Sequence, residues 1–256
     1  MIDSRAVVAG SARVDDSAQV GAYTIIGDDV EIGRGTRIEA HVVIKGPTVI
    51  GADNHIFQFA SIGDDPQDKK YKGQRTRLVI GNRNTIRESC TINRGTVEDR
   101  GETTIGNDNW IMAYVHIAHD CVIGNNTTFA NSINLAGHVH VGDFAVLGGF
   151  TGVHQFCHIG PHAMLAIASV VTKDVPAYVT AQGQPAEPRG INAEGLKRRG
   201  FSPEQIRNIR EAYRTVFRQA LKLDEAVAII EELVLDQPEL GPFLDSLKQG
   251  TRGLAR

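Results

Sequence analysis

The chain has 256 residues, 41% hydrophobic and 22% charged, which is enough for a sizeable buried core in one or two domains. Its formal net charge of -3 argues against nucleic-acid binding, which normally shows as a basic excess. It contains no run of about 18 apolar residues for a membrane span.

The N-terminal stretch MIDSRAVVAGSARVDDSAQV carries early acids and no apolar core of signal-peptide length. Cys90, Cys121 and Cys157 are odd in number and lack CxxC spacing, which suits a reducing compartment. The expected location is the cytoplasm.

From Val8 onward every sixth residue is Val or Ile, through Val14, Val20 and Ile26 to Ile62. The pattern resumes at Ile80, Ile86 and Ile92. After a phase break it runs from Ile105 to Val171, with Phe or Leu at a few steps. A period of six fits neither a helix nor an alternating strand, but it fits one short strand plus one turn. Gly often follows the aliphatic residue, and Gly, Asn and Asp supply the turns. Hexapeptide repeats of this kind predict a parallel β-helix, with three sides per coil and coils about 4.8 Å apart. Two external loops are expected where the phase fails, near 63–79 and 93–104, and loops on a rigid solenoid are natural carriers of binding residues.

After KDVPAYVTAQGQPAEPRG the composition changes. Ser202-Pro203-Glu204-Gln205 reads as a capping box opening a helix with apolar face Ile206, Ile209, Tyr213, Val216 and Phe217. A second helix is expected near Asp224, ending before Pro238, and a short one around 243–247. The expected division is a solenoid over 1–188 and a helical domain over 189–256. Arg207, Arg210, Arg214 and Arg218 recur at helical spacing. They form either a surface for an acidic or phosphate-bearing partner or an ordinary solvated face.

One coil corresponds to a shift of 18 residues. That shift places Gly137 over His119 and His138 over Asp120, with Gln155 next along beside His154. His116, His119, Asp120, Gly137, His138, His154 and Gln155 thus form one patch. Three readings of it compete: a histidine metal site, as in the γ-class carbonic anhydrases; a base, an orienting acid and a backbone oxyanion donor; or surface histidines without a role. Consecutive strand residues point to opposite faces, so His119 and Asp120 converge only if a turn lies there or a second subunit contributes.

Together with the repeat, the stretches QDKKYKG, RGT, HIAHDC, LAGHVHV, VHQFC, KDVPAYV, AQGQPA, NAEGLKRRGFS and TRGLAR closely resemble the acyl-carrier-protein-dependent UDP-N-acetylglucosamine 3-O-acyltransferases, over essentially the whole chain. The resemblance implies a mainly β, left-handed parallel β-helix with a small C-terminal α-helical domain, assembled as a homotrimer. It implies transfer of a 3-hydroxyacyl group from acyl carrier protein to the 3-hydroxyl of UDP-N-acetylglucosamine, the first step of lipid A biosynthesis. In this family pattern His119 is the general base, Asp120 orients it and Gly137 offers its N–H to the thioester oxygen. Asp68 and Lys70 match sugar-nucleotide contacts, and His116, His138, His154 and Gln155 match substrate-binding positions. Asn192, Glu194, Arg198 and Arg199 match positions that handle uridine, phosphates or the carrier arm. No cofactor is implied beyond the phosphopantetheine on the donor, and no metal.

Two positions depart from the family. Asn93 stands where His is common in TIHRG, on the nucleotide side. Ile167 stands at the acyl-length position, often Gly, where its bulk implies a shorter donor of roughly ten carbons. A zinc hydratase of the γ-carbonic-anhydrase type and an N-acyltransferase on a 3-amino sugar nucleotide are the alternatives.

Overall fold

The computed structural model describes residues 1–250 and 252–255; Thr251 and Arg256, the ends of the TRGLAR motif, lie outside the described residues. Each repeat contributes one strand, most of two residues, and the strands stack into three sheets of nine, eight and ten. The result is the expected left-handed parallel β-helix. On the first sheet Val8, Ile26, Ile44, Ile62, Ile92, Ile117, Leu135, Val153 and Val171 pair in continuous register. All of these except Val8 are buried. Alternation sends the aliphatic member of each strand inward, where each such side chain contributes about 1.5–3 kcal/mol.

The two phase breaks leave this register intact. Ile62 pairs with Ile92 and Ile92 with Ile117 across the loops, so the extra residues leave the coil at its corners and the core column continues unbroken. Corners repeatedly place a non-glycine residue at positive φ, among them Asp120 at 60° and His138 at 63°. Coils approach so closely at other corner positions that a Cβ on Gly106 would lie 2.5 Å from the Gly124 carbonyl oxygen. Inside one corner Asn54, Asn84 and Asn109 form a buried ladder, with Asn84 Nδ2 donating to Asn54 Oδ1 at 3.0 Å and Asn109 N donating to Asn84 Oδ1 at 3.0 Å. The ladder satisfies backbone and amide groups that the turn would otherwise leave unpaired.

The third sheet ends in an antiparallel hairpin, Val179–Gly183 with Ala186–Ile191, which runs past the expected boundary at 188. The helices follow: α1 (Ala193–Arg198), α2 (Pro203–Phe217), α3 (Leu223–Val234) and α4 (Gly241–Gln249). Helix α1 had no counterpart among the expected elements; the Asn192 side chain caps it by accepting from Gly195 N at 3.1 Å. The capping box at Ser202 forms as expected, and Ile209, Tyr213 and Val216 are buried along α2. The C-terminal segment returns to the solenoid, where Asp174 N donates to Gly253 O and Ala255 N to Asp174 O, both at 2.9 Å.

Candidate active site

His119 and Asp120 occupy the corner between the first and second sheets, after the strand His116–Ile117. The left-handed backbone of Asp120 turns the chain there, so neighbours that would diverge on a strand converge. His119 Nδ1 donates to Asp120 Oδ2 at 2.8 Å. The carboxylate is fully buried and also accepts from Thr96 N at 2.8 Å and Thr96 Oγ1 at 2.7 Å, while Asp120 N donates to Thr103 Oγ1 at 2.8 Å. Burial pushes the Asp120 carboxyl up, but the hydrogen bonds from His119 and Thr96 outweigh it and hold the group below its usual range.

This bonding fixes the imidazole with its proton on Nδ1 and a lone pair on Nε2. The ring lies against the next coil: a Cβ on Gly137 would sit 2.5 Å from His119 Cε1 and 2.8 Å from Nε2. Among the described residues the Gly137 N–H makes no hydrogen bond, while the flanking His138 N donates to His119 O at 3.0 Å. An imidazole, the buried carboxylate that fixes it and an unused backbone donor therefore stand within two coils.

A cavity of about 940 Å³ opens over this corner, lined by His119, His138, Gln155 and Phe156 from the coils and by Asp68, Lys70 and their neighbours from the first loop. His138 bonds Asp99 Oδ2 through Nδ1 at 2.8 Å, and its Nε2 stands 3.9 Å from Asp120 Oδ2. His119, Asp120 and His138 offer donor atoms within 4.8 Å of one another, the span of a metal site. Asp120, however, already accepts three hydrogen bonds, two from Thr96 and one from His119, and would have to give one up to coordinate an ion. A second cleft, of about 640 Å³, lies over the second sheet near Arg13, Arg75 and Arg77; these pair with Glu31, Asp29 and Glu102, and no base–acid pair lines it.

The other expected residues divide. His116 faces outward on the first sheet beside His119; its Nδ1 shares a 2.7 Å hydrogen bond with the Thr91 hydroxyl, and burial, then the neighbouring His119, lowers its pKa. His154 is exposed on the same corner as Gln155, its Nδ1 bonded to Gln155 O at 3.1 Å. Asn93 is buried away from the cavity wall: its amide donates to Asp65 O at 2.7 Å, and with Arg94, which donates to Gly63 O at 2.6 Å, it anchors the first loop. Asn192 is committed as the α1 cap and donates to His162 O at 3.0 Å. Glu194, Arg198 and Arg199 are exposed on α1 and its end, with Arg199 stacked 4.5 Å over Phe144; none of them reaches the His119 cavity. Ile167 is 69% exposed at a different corner, between the third and first sheets.

Thr96, Thr103 and Asp99, which hold Asp120 and His138, went unnoticed in the sequence. So did His158, which lines the cavity beside His140; the spacing His138-x-His140 suggests a metal pair in the sequence, although His140 sits at a different place in the repeat. The one available signal was position: the second loop leaves the solenoid one coil before His119, at the same corner. The three cysteines are buried and free, and burial pushes Cys90 up to about 11 and Cys121 and Cys157 to about 12, so none is a ready nucleophile.

Fold and site together define a hexapeptide-repeat transferase, and residues 11–46 and 102–132 match the bacterial transferase hexapeptide family. Residues 174–255 match the second domain of UDP-N-acetylglucosamine O-acyltransferase. The acyl-[acyl-carrier-protein]–UDP-N-acetylglucosamine O-acyltransferase of Stutzerimonas stutzeri is 54% identical, over 100% of this chain and 99% of its own. The UDP-N-acetylglucosamine acyltransferase structure from Francisella novicida superposes with a TM-score of 0.99 at 48% identity, covering 100% of this chain and 94% of that one. The Moraxella catarrhalis structure gives 0.98 at 48%, covering 100% and 99%. The chain belongs to the UDP-N-acetylglucosamine O-acyltransferase family and is an acyltransferase.

Proposed function

We propose that the chain transfers a 3-hydroxyacyl group from acyl carrier protein to the 3-hydroxyl of UDP-N-acetylglucosamine, the step that opens lipid A biosynthesis. The observation that carries this is the His119–Asp120–Gly137 constellation in a chain related along its full length to enzymes of that name. The Nε2 lone pair of His119 takes the proton of the sugar hydroxyl as its oxygen bonds to the thioester carbonyl carbon. Asp120 keeps the imidazole oriented and stabilises the imidazolium that forms. The oxyanion accepts from the Gly137 N–H. Collapse breaks the C–S bond, and the imidazolium returns its proton to the leaving thiolate. A thioester already carries a good leaving group, so no covalent enzyme intermediate is required, and the phosphopantetheine arm arrives with the donor.

Asp68, Lys70, His138 and Gln155 are assigned to the sugar nucleotide, a reading supported by their common position in the cavity lining. The acyl chain is assigned to the outer face of the first sheet, where His116, Asn134, Gly152 and Val170 pair in succession and span roughly 14 Å. Ile167 stands at the turn entering the last of these strands and limits the length. Assembly as a homotrimer is supported by the column Tyr23, Phe59, Tyr114 and Phe150, exposed along one corner. The helical segment, with its arginines, is assigned to the acidic carrier. No described helix is long and apolar enough to cross a membrane, and the reaction's soluble substrates suit the cytoplasm.

The test is thiol release from 3-hydroxyacyl carrier protein. Release should depend on UDP-N-acetylglucosamine; release driven only by the 3-amino sugar nucleotide would overturn the acceptor assignment.

A further inference from the structure

Beside the proposed catalytic corner, the second sheet carries two imidazoles with no part in the steps above. His140 and His158 pair directly across parallel strands, with ring centroids 4.5 Å apart and planes inclined by 51°. Their chain neighbours Val141 and Ile159 are buried, so alternation turns both histidines outward, and both line the cavity that holds His119. We propose that His140 and His158 form a binding site for a divalent transition metal of the zinc class at the edge of this cavity.

The donor chemistry suits such an ion. Neutral imidazoles bind zinc at about 2.0–2.1 Å, which asks of two ligating nitrogens a separation of roughly 3.3 Å at tetrahedral geometry. The two rings, tilted by 51° with centroids 4.5 Å apart, are brought to that separation by side-chain rotation. Behind the pair stands a ready outer partner. His158 Nδ1 is buried without a hydrogen bond and faces Asp174 Oδ1 at 3.6 Å. The Asp174 carboxylate is itself buried and fixed by His158 N at 2.7 Å and Arg252 N at 2.9 Å. A carboxylate behind a histidine favours the proton on Nδ1 and leaves Nε2 for the metal, the usual second layer of a zinc site. Two protein ligands leave positions for water, so the site is open to the cavity.

A metal held there narrows the space beside His119, so zinc slows acyl transfer; this consequence rests on the proposed function, whereas the binding does not. Full-length protein is titrated with zinc chloride against a chromophoric chelator, and the zinc environment of the wild type is read by X-ray absorption. The expected result is one zinc per chain with two imidazoles in its first shell. Affinity should fall about tenfold or more in His140→Gln and in His158→Gln, but not in His119→Ala. No zinc retention by the wild type, or fewer than two imidazoles around it, overturns the site without reference to any variant. Loss of binding in His119→Ala with retention in both glutamine variants moves the metal to His119, Asp120 and His138 and overturns it equally. Zinc binding as predicted in a protein that transfers no acyl group would overturn the transfer reading and leave the metal site standing.

Discussion

Gly137→Ala probes the proposed catalytic geometry without removing a proposed catalytic group. The added Cβ would lie 2.5 Å from His119 Cε1, against an ordinary carbon contact of roughly 3.5 Å, so the ring must retreat by about 1 Å. Asp120 is pinned by Thr96 and Thr103 and does not follow, so the 2.8 Å bond from His119 Nδ1 lengthens or breaks. The alanine keeps its backbone N–H, and the oxyanion donor survives. A 1 Å misplacement of a reacting group costs on the order of 10²-fold in rate. Steady-state kinetics should therefore show kcat down by about 10²-fold with KM within a few-fold, alongside a stability loss of about 1–3 kcal/mol from the overpacking. A kcat within threefold of wild type would refute the claim that the His119–Gly137 approach positions the base.

Thr96→Val removes one of the bonds holding the Asp120 carboxyl low, so acid unfolding should set in at higher pH than in the wild type. A depressed carboxylate stabilises the fold above its unfolded pKa, near 4, and that stability fades as pH falls through the lower folded value; urea titration at pH 7 should thus show a loss of about 1.5–3 kcal/mol. An unchanged acid-unfolding midpoint would count against the Thr96 bond as what holds the carboxyl low. Ile167→Gly should move the preferred donor to a longer acyl chain in a competition among carrier-protein thioesters, and an unchanged preference would remove Ile167 as the length limit. Replacing Arg207, Arg210 and Arg214 by Glu should raise KM for the acylated carrier protein at least tenfold at low salt, while a small pantetheine thioester is used as before. Equal effects on both donors would contradict a docking role.

Much of this architecture can be read in the sequence because the repeat is rigidly periodic. Ile117, Leu135 and Val153 stack as the step of six requires, and the same arithmetic puts Gly137 against His119. Loops carry no period, so Thr96 on Asp120 and Asp99 on His138 could not be placed from spacing. Asn93 illustrates a different limit: its place in the motif suggests the nucleotide, and in the fold its amide nitrogen donates to the Asp65 carbonyl while its buried Oδ1 has no hydrogen-bond partner among the described residues. Asn192 resembles a binding residue but caps α1, a role that a cap residue ahead of a short helix could have signalled. His140 and His158 lie at strand positions, where a single histidine is unremarkable; only the coil register makes them a pair.

His119 is the proposed base of an acyl transfer to a sugar nucleotide, and its removal is the most direct test. Wild-type protein and His119→Ala, both treated with chelator, would be incubated with UDP-N-acetylglucosamine and a mixture of 3-hydroxyacyl carrier proteins, and the products read by mass spectrometry. The wild type should yield 3-O-acylated sugar nucleotide carrying mainly an acyl chain of roughly ten carbons, and the variant a yield at least about 10²-fold lower. Comparable product from the folded variant, or none from the wild type until zinc is restored, would contradict that role.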